Sequence, residues 1–256
     1  MTTENPLSSR PVYDPVLTRR MGVEASLAYD PRLGGGRTEI VNVIYELRVV
    51  VTVTPAEIIL AIRGTKNLRN WLTDINARMK ALDSQVKLHA GFLNAADALL
   101  PEIIAALLPL TTSGPTDKAT LPPIRLTGHS LGGALATAVA FALAREGFRV
   151  ASVHTFASPR VGNHAWRTVY HALLGDITWR VCAAGDAIPL LPGLLAGYRH
   201  VGQEVFLRDG TVTLNPSRLF EIASDSWDAY WAVKQADWAF LLKQHSMDND
   251  YLAQLQ

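Results

Sequence analysis

The chain has 256 residues, 48% hydrophobic and 18% charged, and its 24 Lys plus Arg against 23 Asp plus Glu leave a net charge of +1. A single α/β domain spanning residues 1–256 is the expectation at this length. So large an apolar fraction excludes intrinsic disorder, and so even a charge balance excludes the single-sign field that recruits nucleic acid.

Residues 1–16 carry Pro6, Pro11 and Pro15 and read as an extended arm, followed by a helix to about Tyr29. Gly34-Gly35-Gly36 is a hard break. Val41 to Val53 reads as a β-branched strand that hairpins through Thr54-Pro55-Ala56-Glu57 into the apolar run Ile58 to Ile62. Val86 to His89 is a further strand, and Asn94 to Leu108 a helix bent at Pro101. After the Thr/Pro-rich stretch 111–123 the rhythm changes. Strands at Ile124–Thr127, Arg149–Phe156 and Ile177–Ala183 alternate with helices at Ala134–Glu146 and Asn163–Leu173. Such βαβ alternation implies a largely parallel sheet. Tyr198–Leu207 and Thr211–Leu214 read as a late hairpin, and Trp227–Lys243 as a terminal helix whose Trp227, Trp231, Trp238 and Leu242 row faces a core.

The most apolar run, Gly132 to Ala144, is 13 residues long, against the roughly 20 a membrane span needs, so no transmembrane segment is expected. Cys182 has no partner for an intrachain disulfide, and the sequence holds no metal-ligand cluster, dinucleotide fingerprint or phosphate loop, so no metal or cofactor is expected. Localisation stays open. The lone cysteine and the absence of a leader favour a reducing, cytoplasmic setting, and a secreted protein stripped of its leader would look the same.

Gly128-His129-Ser130-Leu131-Gly132 carries the chemistry. A Gly-x-Ser-x-Gly run between an apolar strand and a small-residue helix is a strained turn that lifts the serine hydroxyl clear of the backbone. A serine needs a base to take its proton and a carboxylate to orient that base, in the order Ser, acid, His for this architecture. Asp186 sits just past a strand in Gly185-Asp186-Ala187-Ile188-Pro189, whereas Asp176 precedes that strand and Asp209 falls in a hairpin turn. Two histidines follow Asp186. His245 leaves a helix end and is the preferred base; His200 lies in the strand-like Tyr198–Val201, where a structural hydrogen bond is the commoner role. His129 reads as a packed neighbour of the nucleophile. A developing oxyanion needs two donors, and the Leu131 and Thr65 N–H groups are the candidates.

Together with Ile62-Arg63-Gly64-Thr65, Arg69-Asn70-Trp71-Leu72-Thr73-Asp74, His89-Ala90-Gly91-Phe92 and Pro159-Arg160-Val161-Gly162-Asn163, these blocks are similar, in order, to the class 3 lipases. The resemblance runs from about Ile62 to His245. It implies an α/β-hydrolase fold, with a central, mostly parallel sheet flanked by helices and a lid helix after the oxyanion loop. It also implies a Ser130, Asp186, His245 triad, an oxyanion hole at Thr65 and Leu131, and a non-catalytic His200. The segment after Thr65 matches the lid, and Leu68, Trp71, Leu72, Ile75 and Met79 do fall on one apolar stripe at helical spacing. The implied function is a serine ester hydrolase cleaving acylglycerols, triacylglycerols included, through an acyl-enzyme. Its partners would be a lipid ester and, transiently, a lipid–water interface. A phospholipase of the A1 type and a short-chain carboxylesterase share the same triad chemistry. A non-catalytic binding relative is the reading from another class, and it would be expected to lack part of the machinery that this sequence retains.

Overall fold

A computed structural model describes residues 11–255 apart from 31, 33, 35, 65–77, 111–117, 218–230, 232–234, 236, 238, 240, 241 and 243. Helix α1 (Pro15–Leu27) begins where Asp14 accepts the Leu17 N–H at 3.0 Å, with Pro15 at the first helical position. The extended arm therefore stops at Asp14 rather than at residue 16, and residues 1–10 of it lie outside the described residues. Strands β1 (Arg37–Asn42), β2 (Leu47–Val53) and β3 (Ile58–Ile62) follow. A short antiparallel ribbon, β4 (Met79–Ala81) with β5 (Lys87–His89), leads into α2 (Ala90–Leu107). Next come β6 (Ile124–His129), α3 (Leu131–Arg145), β7 (Val150–Phe156), α4 (His164–Leu174) and β8 (Thr178–Ala183). Strands β9 (Gln203–Arg208) and β10 (Thr211–Leu214) complete the sheet.

The sheet has eight strands in the order β1-β2-β3-β6-β7-β8-β9-β10. Its centre, β3-β6-β7-β8-β9, is parallel, and both margins close with antiparallel pairs. The expected mostly parallel sheet flanked by helices is borne out; the lid helix lies outside the described residues. Every residue of β3 and of β8 is buried, the mark of strands covered on both faces. On one face Ile58, Leu60, Ile62, Leu126 and Val153 pack with the buried stripes of α2 and α3. On the other, Ile59, Phe156, Val181 and Val205 pack with Met21 and Ala25 of α1 and with Met247 and Tyr251 near the C-terminus.

Several expectations are corrected, among them Met79, which is read on the helical stripe after Thr65 but lies in β4. Val41–Val53 is not one strand. Asn42 Oδ1 accepts the Tyr45 N–H at 3.1 Å, Glu46 takes a positive φ of 52°, and the chain turns back over 43–46. Tyr198–Val201 is a loop whose β-bridge among the described residues is the one between Arg199 and Gly162, so β9 starts at Gln203. The α2 region is also apolar over a greater length than the run Gly132 to Ala144. Ala90–Leu110 is long and apolar enough to cross a membrane, although Phe92, Leu99, Ile103 and Leu107 of α2 lie in the core. Of the expected helix Trp227–Lys243 most residues lie outside the described ones, and Trp231, expected to face a core, is 45% exposed.

Candidate active site

The parallel strands β3, β6, β7 and β8 all end at one edge, and the loops leaving that edge carry the candidate residues. Crevices beyond the carboxyl ends of such strands are where α/β sheets hold their ligands. Ser130 joins β6 to α3 with φ 57° and ψ −128°, a backbone conformation that costs an L-residue about 1–3 kcal/mol and persists only where the surroundings impose it. The glycines of the pentapeptide are what impose it. A Cβ on Gly132 would collide with the Ile62 carbonyl oxygen, and one on Gly128 with the Gly132 carbonyl. The head of α3 can therefore sit directly against the ends of β3 and β6, held by the Ser130 N–H donating to the Phe156 carbonyl at 2.8 Å.

Asp186, its side chain wholly buried, follows β8. Its Oδ1 accepts the Ile188 N–H at 2.9 Å, and its Oδ2 accepts the Tyr251 hydroxyl at 2.6 Å and lies 2.9 Å from His245 Nδ1. That contact fixes His245 with Nδ1 toward the carboxylate and leaves Nε2 to act. Both Ser130 Oγ and His245 Nε2 are buried with no hydrogen-bond partner among the described residues. A serine on a strained elbow and a carboxylate-oriented imidazole are the groups that acyl transfer uses, and among the described residues no hydrogen bond joins Ser130 Oγ to His245 Nε2.

His129, the chain neighbour of Ser130, has its ring centroid 4.6 Å from that of His245. Burial, followed by the nearby His245, holds His129 far below the ordinary histidine range, so it packs against the base as a neutral ring. His200 takes another path. Its Nε2 lies 2.6 Å from the Pro189 carbonyl oxygen, on the loop that follows Asp186. The Leu131 N–H is the first of α3 and has no carbonyl within its own helix to bond. Thr65 lies outside the described residues, as do Leu68, Trp71, Leu72 and Ile75.

Two tyrosines went unnoticed in the sequence. Tyr251 donates to Asp186 and accepts the Ala183 N–H at 3.3 Å, so it ties the acid to the end of β8. Burial and then the Asp186 charge push its hydroxyl well above the ordinary tyrosine range, which keeps it a donor. Tyr29 donates to the His129 carbonyl at 3.3 Å and accepts the Gly64 N–H at 3.1 Å, bracing the loop before Thr65 against the elbow. Burial pushes its hydroxyl up to about 12. Neither residue carries a local signature; each acts across a long sequence separation. Among the described residues, no group of three or more His, Cys, Asp or Glu is placed to hold a metal ion.

Buried neutral histidines give the fold a pH limit. His89, whose Nδ1 accepts the Gly91 N–H at the head of α2, is pushed down to about 4 by burial. Burial and then the Arg125 charge push His154 down to about 3. Both stay neutral in the fold while the unfolded chain takes up protons below about 6.5, so stability is whole above that pH and declines as pH falls toward the folded values. At pH 5 the two should together remove about 4 kcal/mol, and His129 acts in the same direction. Urea midpoints at pH 7.5 and pH 5 test this, and equal midpoints would refute it.

A family model described as Lipase (class 3) matches residues 59–196, just over half of the chain. That stretch contains Ser130 and Asp186 and ends before His245. Secreted mono- and diacylglycerol lipase 1 of Fusarium solani is 38% identical over 156 residues, 60% of this chain and 45% of that protein. A lipase of Rhizomucor miehei is 30% identical over 178 residues, 66% of this chain and 47% of its own length. The chain thus spans about half the length of the curated relatives it matches. Among solved structures, a mono- and diacylglycerol lipase from Aspergillus oryzae superposes with a TM-score of 0.69 at 23% identity, covering 82% of this chain and 88% of that one. A lipase from Rhizopus microsporus var. chinensis gives 0.67 at 21% identity, covering 82% and 83%.

Proposed function

The chain belongs to the class 3 lipase family, and from that premise we propose that it is a serine ester hydrolase acting on acylglycerols, with residues 1–256 forming one catalytic domain. Ser130 Oγ attacks the ester carbonyl as His245 Nε2 takes its proton, and Asp186 stabilises the imidazolium through Nδ1. The oxyanion is received by the Leu131 N–H and by the Thr65 N–H. Collapse expels the glycerol-side alcohol, which takes the proton back from His245, and leaves an acyl-serine. Water, deprotonated by the same imidazole, then releases the fatty acid. The observation that carries the reading is the 2.9 Å contact between His245 Nδ1 and Asp186 Oδ2, which leaves Nε2 without a partner among the described residues, together with the strained elbow that presents Ser130. The names of the Fusarium and Aspergillus proteins support mono- and diacylglycerols alongside triacylglycerols as substrates. The stripe Leu68, Trp71, Leu72 and Ile75 is proposed to cover the pocket in water and to turn outward at a lipid surface.

The test is hydrolysis of mono-, di- and triolein, phosphatidylcholine and 4-nitrophenyl butyrate, each below and above its solubility limit where it has one. Acylglycerols are expected to be the best substrates, with activity rising more than proportionally once droplets form. Phosphatidylcholine as the best substrate would replace this reading by an A1-type phospholipase, and nitrophenyl butyrate alone by a short-chain esterase. No turnover at all, with no labelling of Ser130 by a fluorophosphonate, would remove the enzyme reading.

A further inference from the structure

The turn between β1 and β2 is built from the wrong residues for a turn. Hairpin turns favour Gly, Asn, Asp and Pro, yet Val43 is 82% exposed, Ile44 85% and Tyr45 44%, and Val41 just before them is half exposed. The geometry does not need these side chains. Asn42 Oδ1 sets the turn through the Tyr45 N–H, and Glu46 takes the positive φ. A local sequence that contradicts its own structure is expected at functional positions, and contiguous exposed apolar side chains mark interaction sites.

The tip's place in the fold indicates what meets it. Val49 of β2 lies opposite Ile62 of β3, so the turn before β2 rises at the sheet edge where Ser130 sits. Arg63 donates its backbone N–H to the Arg48 carbonyl at 2.9 Å and Nη2 to the Glu46 carbonyl at 3.0 Å. Gly64, the next residue, packs against the His129 carbonyl and the Gly132 N–H. The tip is thus tied to the nucleophile elbow through Arg63, the Gly64 N–H and the Tyr29 hydroxyl, which donates to the His129 carbonyl. Across that elbow, the loop after Asp186 carries Leu195, 92% exposed. Any lipid aggregate that delivers an ester to Ser130 must approach this edge, and its surface is then continuous with the tip.

We propose that Val43, Ile44 and Tyr45 form an anchor that inserts into the surface of a lipid aggregate and holds the Ser130 edge against it. This rests on the reading of Ser130 as nucleophile toward lipid esters and concerns a segment separate from the stripe 68–75. The β-branched pair would enter the apolar layer, while the Tyr45 ring suits the boundary where one end is apolar and the other wet. Asn42, Glu46 and Arg63 then remain on the aqueous side.

The experiment uses the full chain with phosphatidylcholine vesicles doped with a non-hydrolysable dialkylglycerol ether. Val43→Asp combined with Ile44→Asp should weaken co-sedimentation by about tenfold or more, since two apolar side chains no longer leave water. Turnover of emulsified diolein should fall in parallel, and that of soluble 4-nitrophenyl butyrate should stay within about twofold. Val16→Asp, at a 78% exposed position in the first turn of α1 at the opposite end of the sheet, should leave vesicle binding unchanged. Ile44→Cys bearing an environment-sensitive dye should shift to the blue on vesicle addition, the native Cys182 being buried. Undiminished vesicle binding by the double variant, or no spectral shift at position 44, overturns the anchor. Failure of the function reading would show separately, as absence of soluble-ester turnover in the wild type.

Discussion

Ser130→Ala is expected to lower kcat for any ester by about 10⁵-fold or more, the scale on which removing the serine of a comparable triad acts. The fold should not suffer. Ser130 Oγ has no hydrogen-bond partner among the described residues to lose, and the positive φ is imposed by the glycine contacts around it, which alanine leaves unchanged. The alanine variant should therefore unfold at the wild-type urea midpoint while failing to react with a fluorophosphonate. Turnover within tenfold of wild type would place the nucleophile elsewhere.

Asp186→Asn should cost about 10⁴-fold in kcat, because an amide cannot stabilise the imidazolium and favours the wrong tautomer. The structure adds a second penalty. The groups that bond the carboxylate, the Ile188 N–H, the Tyr251 hydroxyl and His245 Nδ1, all call on it as an acceptor. An asparagine has one oxygen to offer, so its NH₂ must face a donor whichever way the amide is turned. A buried mismatch of this kind costs about 1–3 kcal/mol, and the variant should show a lowered urea midpoint as well as lost turnover. Tyr251→Phe removes one donor and leaves the charge, so its kcat loss should be about ten- to hundredfold, the value of a single hydrogen bond to a charged group, and smaller than that of Asp186→Asn. A loss under tenfold in Asp186→Asn, with a large one in His200→Ala, would move the triad to His200.

What could be read without coordinates was what local sequence encodes. The pentapeptide around Ser130 is contiguous, and the strand before it and the helix after it have their own periodicities, so the elbow was legible as a unit. Asp186 was legible from its place after a strand, and His245 from the order of the acid and the base. Tyr251 and Tyr29 were not, because their roles come from packing across 65 residues to Asp186 and 100 residues to His129. The break inside Val41–Val53 was hidden for the opposite reason. Val43, Ile44 and Tyr45 have strong strand preferences, and only the Asn42 side chain, bonding three residues ahead, overrules them. Tyr198–Val201 misled similarly: its aromatic and β-branched residues look like a strand, but its ladder contact among the described residues is the bridge from Arg199 to Gly162.

The segment that carries His245 is fastened to α1, and this orders events in time. Ser26 donates to Asp248 at 2.8 Å across 222 residues of sequence, and Gly22 gives the Met247 and Leu252 side chains room to close on the same helix. Loops of that length close late, after the nearer contacts of β6, α3 and β7 have formed. During refolding from urea, ellipticity should therefore recover first. Fluorophosphonate reactivity should lag behind it, so that labelling reports the final docking of residues 245–255 onto α1 rather than the formation of the sheet.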